Sequence, residues 1–535
     1  MGVFPIFQGF SKKAWERSEF TETQQRMYTA EKLENFRWIS KLVATYSKYE
    51  LREKDAVEEE LCQWLREVGQ FAEVAYATPP LELLLKHFDS LNQPGFPFEG
   101  YYALSPCPYI TAALPIHSSL PASNLRAQGY FATSSGVRLL KSIKGQVAKL
   151  PATVFSRWIH EHDCLGLTRQ EEVDQEARNR CKCSRRRQQI IISICGTSSL
   201  QQAIHDLRAI RRSHPGAPGK DGAAVHTGFW DLYQGMKPAL LDGIDKGLRM
   251  SPLKGDDQLD ALEAQCCGSI ADRDVQRELV VTGHSMGGAI AHLLCLDLLS
   301  PTLDSPGSTP AQFSQLDRPP GLTTLTSRDD IAGRLTGCSD ESFLRQSGLE
   351  SLEIITFGEP RTGNQALVDY WVTLKKRHQD EFGIPVREWC VKAYNDGVTS
   401  LPLMKFGYRH FSQEPLYTVN GKVYRVPSDE RECALFRVAP SGSASTSSPS
   451  CQTASDVDCP AEPNTTLPQA VALYPTINAT TNSSIPLSPL GGHNYYNERD
   501  LEGRYLRRME WLERSGFNQD GWEERYREII KSHPT

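Results

Sequence analysis

The 535-residue chain carries no excess of charge of one sign. Its 59 Lys and Arg are set against 65 Asp and Glu, a net charge of −6. No global field would draw it to nucleic acid, so a nucleic-acid partner is not expected. Long apolar runs are missing too. Outside one glycine-rich segment, no uncharged stretch reaches the roughly 18 residues of a membrane-spanning helix, so no transmembrane segment is expected. The opening MGVFPIFQGFSKKAW has no basic region before its short apolar run, which Pro5 and Gln8 interrupt, so it does not read as a secretory leader. Gly2 suits N-myristoylation, but Ile6 stands where that signal needs Ser or Thr. The expectation is a cytoplasmic protein with possible peripheral contact with a lipid surface. The 14 cysteines show no regular spacing, and Cys195, Cys295 and Cys390 lie inside apolar segments as small hydrophobes. Cys181 and Cys183 have no matching second pair, so a metal site is not expected there. Cys451 and Cys459, like the sequons at Asn464, Asn478 and Asn482, would matter only in an oxidising, secretory setting. The one basic cluster, Arg178 to Arg187, reads as a solvated loop.

Residues 11 to about 90 read as helices, with Val57, Leu61, Trp64, Leu65, Val68 and Phe71 at helical spacing. Residues 91–125 are rich in Pro, Gly and aromatics and read as irregular chain. Residues 130–177 read as mixed and partly helical. From 188 onward, short apolar runs alternate with helical segments. QQIIISIC (188–195), ELVVTG (278–283), LEIITFG (352–358) and VREWCVKAY (386–394) are the strands. Leu200–Arg211, Ala289–Leu299 and Asn364–Arg377 are the helices. That alternation predicts an α/β fold with a mostly parallel sheet covered on both faces. Leu416–Val426 adds a hairpin around Asn-Gly. Residues 300–350 and 439–490 read as low-complexity inserts. The expected organisation is a helical extension over 1–150, a catalytic domain over 151–500 and a helical tail over 501–535.

VVTGHSMGGAIAHLL (280–294) puts Gly283-His284-Ser285-Met286-Gly287 between a strand and a helix. A sharp turn there lifts Ser285 into a cleft, and the glycines relieve crowding where strand meets helix. The helix amino terminus beneath the serine favours developing negative charge. A serine hydroxyl needs a base within hydrogen-bond reach, and the base needs a carboxylate to orient it. Asp396 follows the 386–394 strand, at the carboxyl end where an open α/β sheet puts its ligand site. Asp369 and Asp380 lie in or beside a helix and read as surface charges. His410, His493 and His533 follow Asp396 in the chain; His493, on a loop after Gly491 and Gly492, is preferred, with His410 the alternative. The oxyanion donors are expected at the N–H of Met286 and, at an earlier strand end, of Thr197.

These segments resemble the class 3 lipases, the filamentous-fungal type of triacylglycerol lipase with an α/β-hydrolase fold. CGTSSLQQAIHDL (195–207) is similar to that family's oxyanion segment, VHTGFWDLY (225–233) to its V-H-x-G-F stretch, and TFGEPRTGN (356–364) to its F-G-x-P-R-x-G-N stretch. YNDGVTSLP (394–402) resembles the segment carrying its acidic triad member, and FAEVAYA (71–77) its first core helix. The resemblance implies Ser285 as nucleophile, Asp396 as orienting carboxylate, His493 as base, and Thr197 and Met286 as oxyanion donors. Cys195 stands where the family usually has arginine, and Met286 where leucine is commoner. Residues 198–212 carry Leu200, Ile204, Leu207 and Ile210 on one helical face and read as a lid or as a plain amphipathic helix. The expected activity is hydrolysis of lipid esters, acylglycerols first, without metal or organic cofactor. The alternatives are a phospholipase or other carboxylesterase on the same scaffold, or a catalytically silent interaction module.

Overall fold

The structure is a computed structural model that describes residues 45–111, 130–163, 186–196, 210–215, 222–250, 275–301, 342–419, 421–439, 492–496 and 499–533. Its centre is a ten-stranded sheet. In chain order the strands are β1 (Tyr109–Thr111), β2 (Tyr130–Ser134), β3 (Arg138–Lys144), β4 (Pro151–Asp163), β5 (Arg186–Ile194), β6 (Gln276–His284), β7 (Ser351–Phe357), β8 (Val386–Ala393), β9 (Pro415–Val419) and β10 (Lys422–Arg425). Across the sheet they run β10-β9-β8-β7-β6-β5-β4-β2-β1, with β3 on the same edge of β4 as β2. The central five, β5 to β9, are parallel throughout. The flanks are antiparallel. This is the mostly parallel α/β sheet expected from the alternating runs.

The apolar runs are unbroken because both faces of the centre are covered. Ile190, Ile192, Ile194, Leu279, Val281, Leu352 and Ile354 point to one core. Their neighbours Ile191, Val280, Ile355 and Phe357 point to the other. The first core is closed by helices α2 (Thr227–Leu248), α3 (Met286–Leu299) and α4 (Gln365–Phe382). Helix α1 (Glu59–Val74) closes the second with Trp64, Leu65, Val68 and Phe71, joined by Trp511, Leu512 and Tyr526 from the C-terminal helices. Each large apolar side chain buried this way contributes about 1.5–3 kcal/mol.

Four readings need correction. Residues 130–163 are not partly helical: they form β2, β3 and β4. Strands β1 to β3 lie within residues 1–150, so the described part of that region is not a purely helical extension. Tyr46–Leu51, read as helix, is a strand paired in parallel with Leu435–Val438. Arg211, read as the end of a helix, opens a short strand, Arg211–Ser213. That strand belongs to a small sheet with Ala224–His226, Gly363–Asn364 and Tyr408–Arg409. The basic cluster before Arg186, the lid segment up to residue 209, most of the first insert and the second beyond Ala439 lie outside the described residues.

Candidate active site

Ser285 sits between β6 and α3 at the carboxyl end of the parallel strands. Its backbone has φ 60° and ψ −132°, a region that non-glycine residues rarely occupy. Such strain costs about 1–3 kcal/mol and persists only where surrounding packing dictates it. Here the Ser285 N–H is tied to the Phe357 carbonyl on β7 at 2.8 Å. A Cβ at Gly287 would meet the Ile194 carbonyl oxygen at 2.1 Å, so only glycine lets α3 start this close to β5. The N–H of Met286, in the first turn of α3, has no acceptor within its own helix.

Asp396 follows β8, after Asn395 at φ 63°. Its Oδ1 accepts the Val398 N–H at 2.8 Å, and Tyr496 donates its hydroxyl to Oδ2. His493 arrives from the far side of the second insert. Its Nδ1 lies 3.1 Å from both Asp396 oxygens, and its Nε2 lies 2.8 Å from Ser285 Oγ. All three side chains are buried. Gly358, at φ 62°, makes room for them: a Cβ there would stand 2.8 Å from Asp396 Oδ2 and 3.1 Å from His493 Cε1. Burial alone would raise the Asp396 carboxyl. The His493 imidazole and the hydrogen bonds from His493, Tyr496 and Val398 outweigh it and hold the group below its ordinary value. The carboxylate is therefore ionised at neutral pH.

The structure thus brings Ser285, Asp396 and His493 together. It separates His410 from them: that ring is buried with Nε2 2.8 Å from the Thr399 carbonyl oxygen. Burial, with Lys392 and Arg361 nearby, pushes it well below an ordinary histidine. His284 ends β6 beside Gly283, its ring buried. Thr197 lies outside the described residues, which stop at Gly196 in that segment. Among the described residues no cluster of His, Cys, Asp and Glu is suited to hold a metal ion, and no helix is long and apolar enough to cross a membrane. Tyr496 and Tyr76 were not among the expected site residues. Tyr496 had a local signal, standing three residues after His493. Tyr76 had only its place in FAEVAYA.

Residues 191–313 match the model of the family Lipase (class 3). Over this segment the chain is similar to the class 3 lipases. A lipase of Rhizomucor miehei is 25% identical over 233 residues, which are 43% of this chain and 42% of that protein. The chain therefore spans less than half the length of this relative. Among solved structures, the native Rhizomucor miehei lipase propeptide complex aligns with TM-score 0.34 and 19% identity, over 71% of this chain and 76% of the other. Lipase II from Rhizopus niveus aligns with TM-score 0.33 and 16% identity, over 71% and 90%. The family match runs from the middle of β5 through Ser285 and α3. Asp396 and His493 lie beyond it.

Proposed function

We propose that this chain is a serine hydrolase that cleaves carboxylic esters of lipids, with acylglycerols the foremost substrates. One observation carries the reading: Ser285 Oγ lies 2.8 Å from His493 Nε2, while His493 Nδ1 faces an ionised Asp396 at 3.1 Å. Asp396 holds the imidazole with its proton on Nδ1, leaving Nε2 free to accept the serine proton. Ser285 Oγ attacks the acyl carbonyl as His493 takes that proton, and the negative charge moves to the former carbonyl oxygen. The Met286 N–H and the positive end of α3 stabilise the oxyanion, with Thr197 as the second donor. The histidine then protonates the leaving alcohol, and the acyl group stays on Ser285. Water, deprotonated by the same histidine, attacks the acyl-enzyme and releases the fatty acid with the serine restored.

A fluorophosphonate probe tests the chemistry, and a panel of glycerides, phospholipids and aryl esters tests the substrate class. Wild type should label at Ser285 and hydrolyse glycerides. Ser285→Ala should lose labelling, with turnover lowered by about 10⁶. A wild-type protein that neither labels nor hydrolyses any ester returns the chain to the interaction-module reading. Preference for phospholipids over glycerides would replace the acylglycerol assignment.

A further inference from the structure

The triad leaves a second buried histidine unused. His284 packs its ring on that of His493, with centroids 4.6 Å apart and planes at 33°. Its Nε2 lies 2.7 Å from the backbone carbonyl oxygen of His493, and its Nδ1 lies 2.7 Å from the Tyr76 hydroxyl. A carbonyl oxygen can only accept, so Nε2 carries the hydrogen and Nδ1 accepts from the Tyr76 O–H. The Tyr76 oxygen in turn accepts the Gly196 N–H at 3.1 Å. Every bond then has one direction. Gly196 donates to Tyr76, Tyr76 to His284, and His284 to the carbonyl of His493.

We propose that Tyr76 and His284 form a positioning relay, which locks the backbone of the base His493 to the strand end at Gly196. This rests on the hydrolase reading above, in which the residue after Gly196 is an oxyanion donor. Both relay residues act through the groups they hold. The relay needs a neutral His284, because a protonated Nδ1 could not accept from Tyr76. Burial and the adjacent His493 push His284 down to about 3, which keeps it neutral at working pH. Neutrality also serves the chemistry. A second cation 4.6 Å from His493 would oppose the imidazolium that forms there in every turnover. The groups facing His284 are Tyr76, His493, Asp396 and Tyr496, with Glu73 and Arg499 lining the same small cavity. Tyr76 follows α1 and lies outside the 191–313 family match. The relay therefore makes the N-terminal segment part of the working site.

The test uses the full chain with an aryl butyrate substrate, and follows kcat, KM and Tm together. In Tyr76→Phe, kcat should fall about tenfold to a hundredfold, the scale set by misplacing a catalytic group by an ångström or less, with KM within about twofold. His284→Leu should match it. His284→Gln should recover most of the loss, since its amide can donate to the carbonyl and accept from tyrosine. The double variant Tyr76→Phe/His284→Leu should be no worse than either single change, as for residues acting as one unit. An active wild type overturns the relay alone if Tyr76→Phe keeps wild-type kcat, if glutamine rescues no better than leucine, or if the loss only tracks the unfolded fraction. An inactive, unlabelled wild type overturns the hydrolase reading and the relay with it.

Discussion

Asp396 with His493 is one buried acid–imidazole pair in this protein, and Glu359 with His292 is another. The first closes at 3.1 Å and the second at 2.7 Å. The difference lies at the far nitrogen. His493 presents it to Ser285 Oγ, whereas His292 Nε2 faces a second carboxylate, Glu388, at 3.7 Å. Burial opposes a charge on His292, but Glu359 and Glu388 outweigh it and push the group up to about 9. An imidazole that stays protonated at neutral pH cannot act as a base there. Glu388 is held further by Trp371 Nε1 at 2.8 Å and Lys375 Nζ at 3.1 Å. This second cluster ties α3 to β8 and to the chain just after β7, the same elements that carry Ser285, Asp396 and Gly358. The two pairs share their chemistry but differ in the third group, a hydroxyl in one and a second carboxylate in the other; under the proposed reaction that difference separates a proton shuttle from an ionic strut.

That contrast can be broken by removing one acid at a time. Asp396→Asn should lower kcat by about 10⁴ while the protein stays folded, because the imidazole loses the tautomer that accepts from serine. Glu359→Gln should leave kcat within about tenfold but lower the stability by about 3–5 kcal/mol, the usual cost of breaking a buried ion pair. Equal loss of turnover in the two variants, measured where both are folded, would erase the distinction.

The distinction can also be sharpened with pH. His292 is raised in the folded state, so its contribution is fully present below its ordinary value near 6.5 and is lost as pH rises through about 9. It amounts to about 3 kcal/mol at most. Asp396 is lowered, so its contribution is present above the usual aspartate value near 4 and is lost as pH falls further. Tm measured from pH 6 to 10 should decline, and His292→Gln should flatten the alkaline part of that decline. The smallest effect belongs to Asn364, the last residue of the TFGEPRTGN stretch. Its side chain accepts the Leu367 N–H at 3.1 Å and the Ala224 N–H at 2.9 Å, capping α4 rather than touching the triad. Asn364→Ala should cost about 1 kcal/mol in a chemical denaturation midpoint, with kcat unchanged.

The nucleophile turn was legible because its causes are local. An apolar run, two close glycines and a helix-forming segment lie within fifteen residues. Asp396 was legible by its place at a strand end. The strands over 130–163 were not, for two separate reasons. In RLLKSIK the apolar residues Leu139, Leu140 and Ile143 mimic a helical period. In β4, buried almost continuously from Ala152 to Ile159, there is no alternation to read. Its buried Arg157 resembles a surface charge until Glu67 Oε2 is found 2.9 Å away on α1. Tyr46–Leu51 takes its form from a partner strand almost four hundred residues on, and no window of sequence contains both.

Patterns within a dozen residues were enough to specify the parallel core, the strained serine and the carboxylate beyond β8, since backbone propensity, apolar spacing and glycine sterics act over that range. Which histidine meets the serine is a different kind of fact. His493 is 97 positions from Asp396 and 208 from Ser285, and His410 is much nearer to Asp396 in the chain. Only the packed molecule brings one imidazole to the hydroxyl and leaves the other on a carbonyl. The same holds for Tyr76 and for the opposite charge states of His284 and His292. A side chain's charge and hydrogen-bond direction depend on the groups that folding places within a few ångströms, and those come from all over the chain.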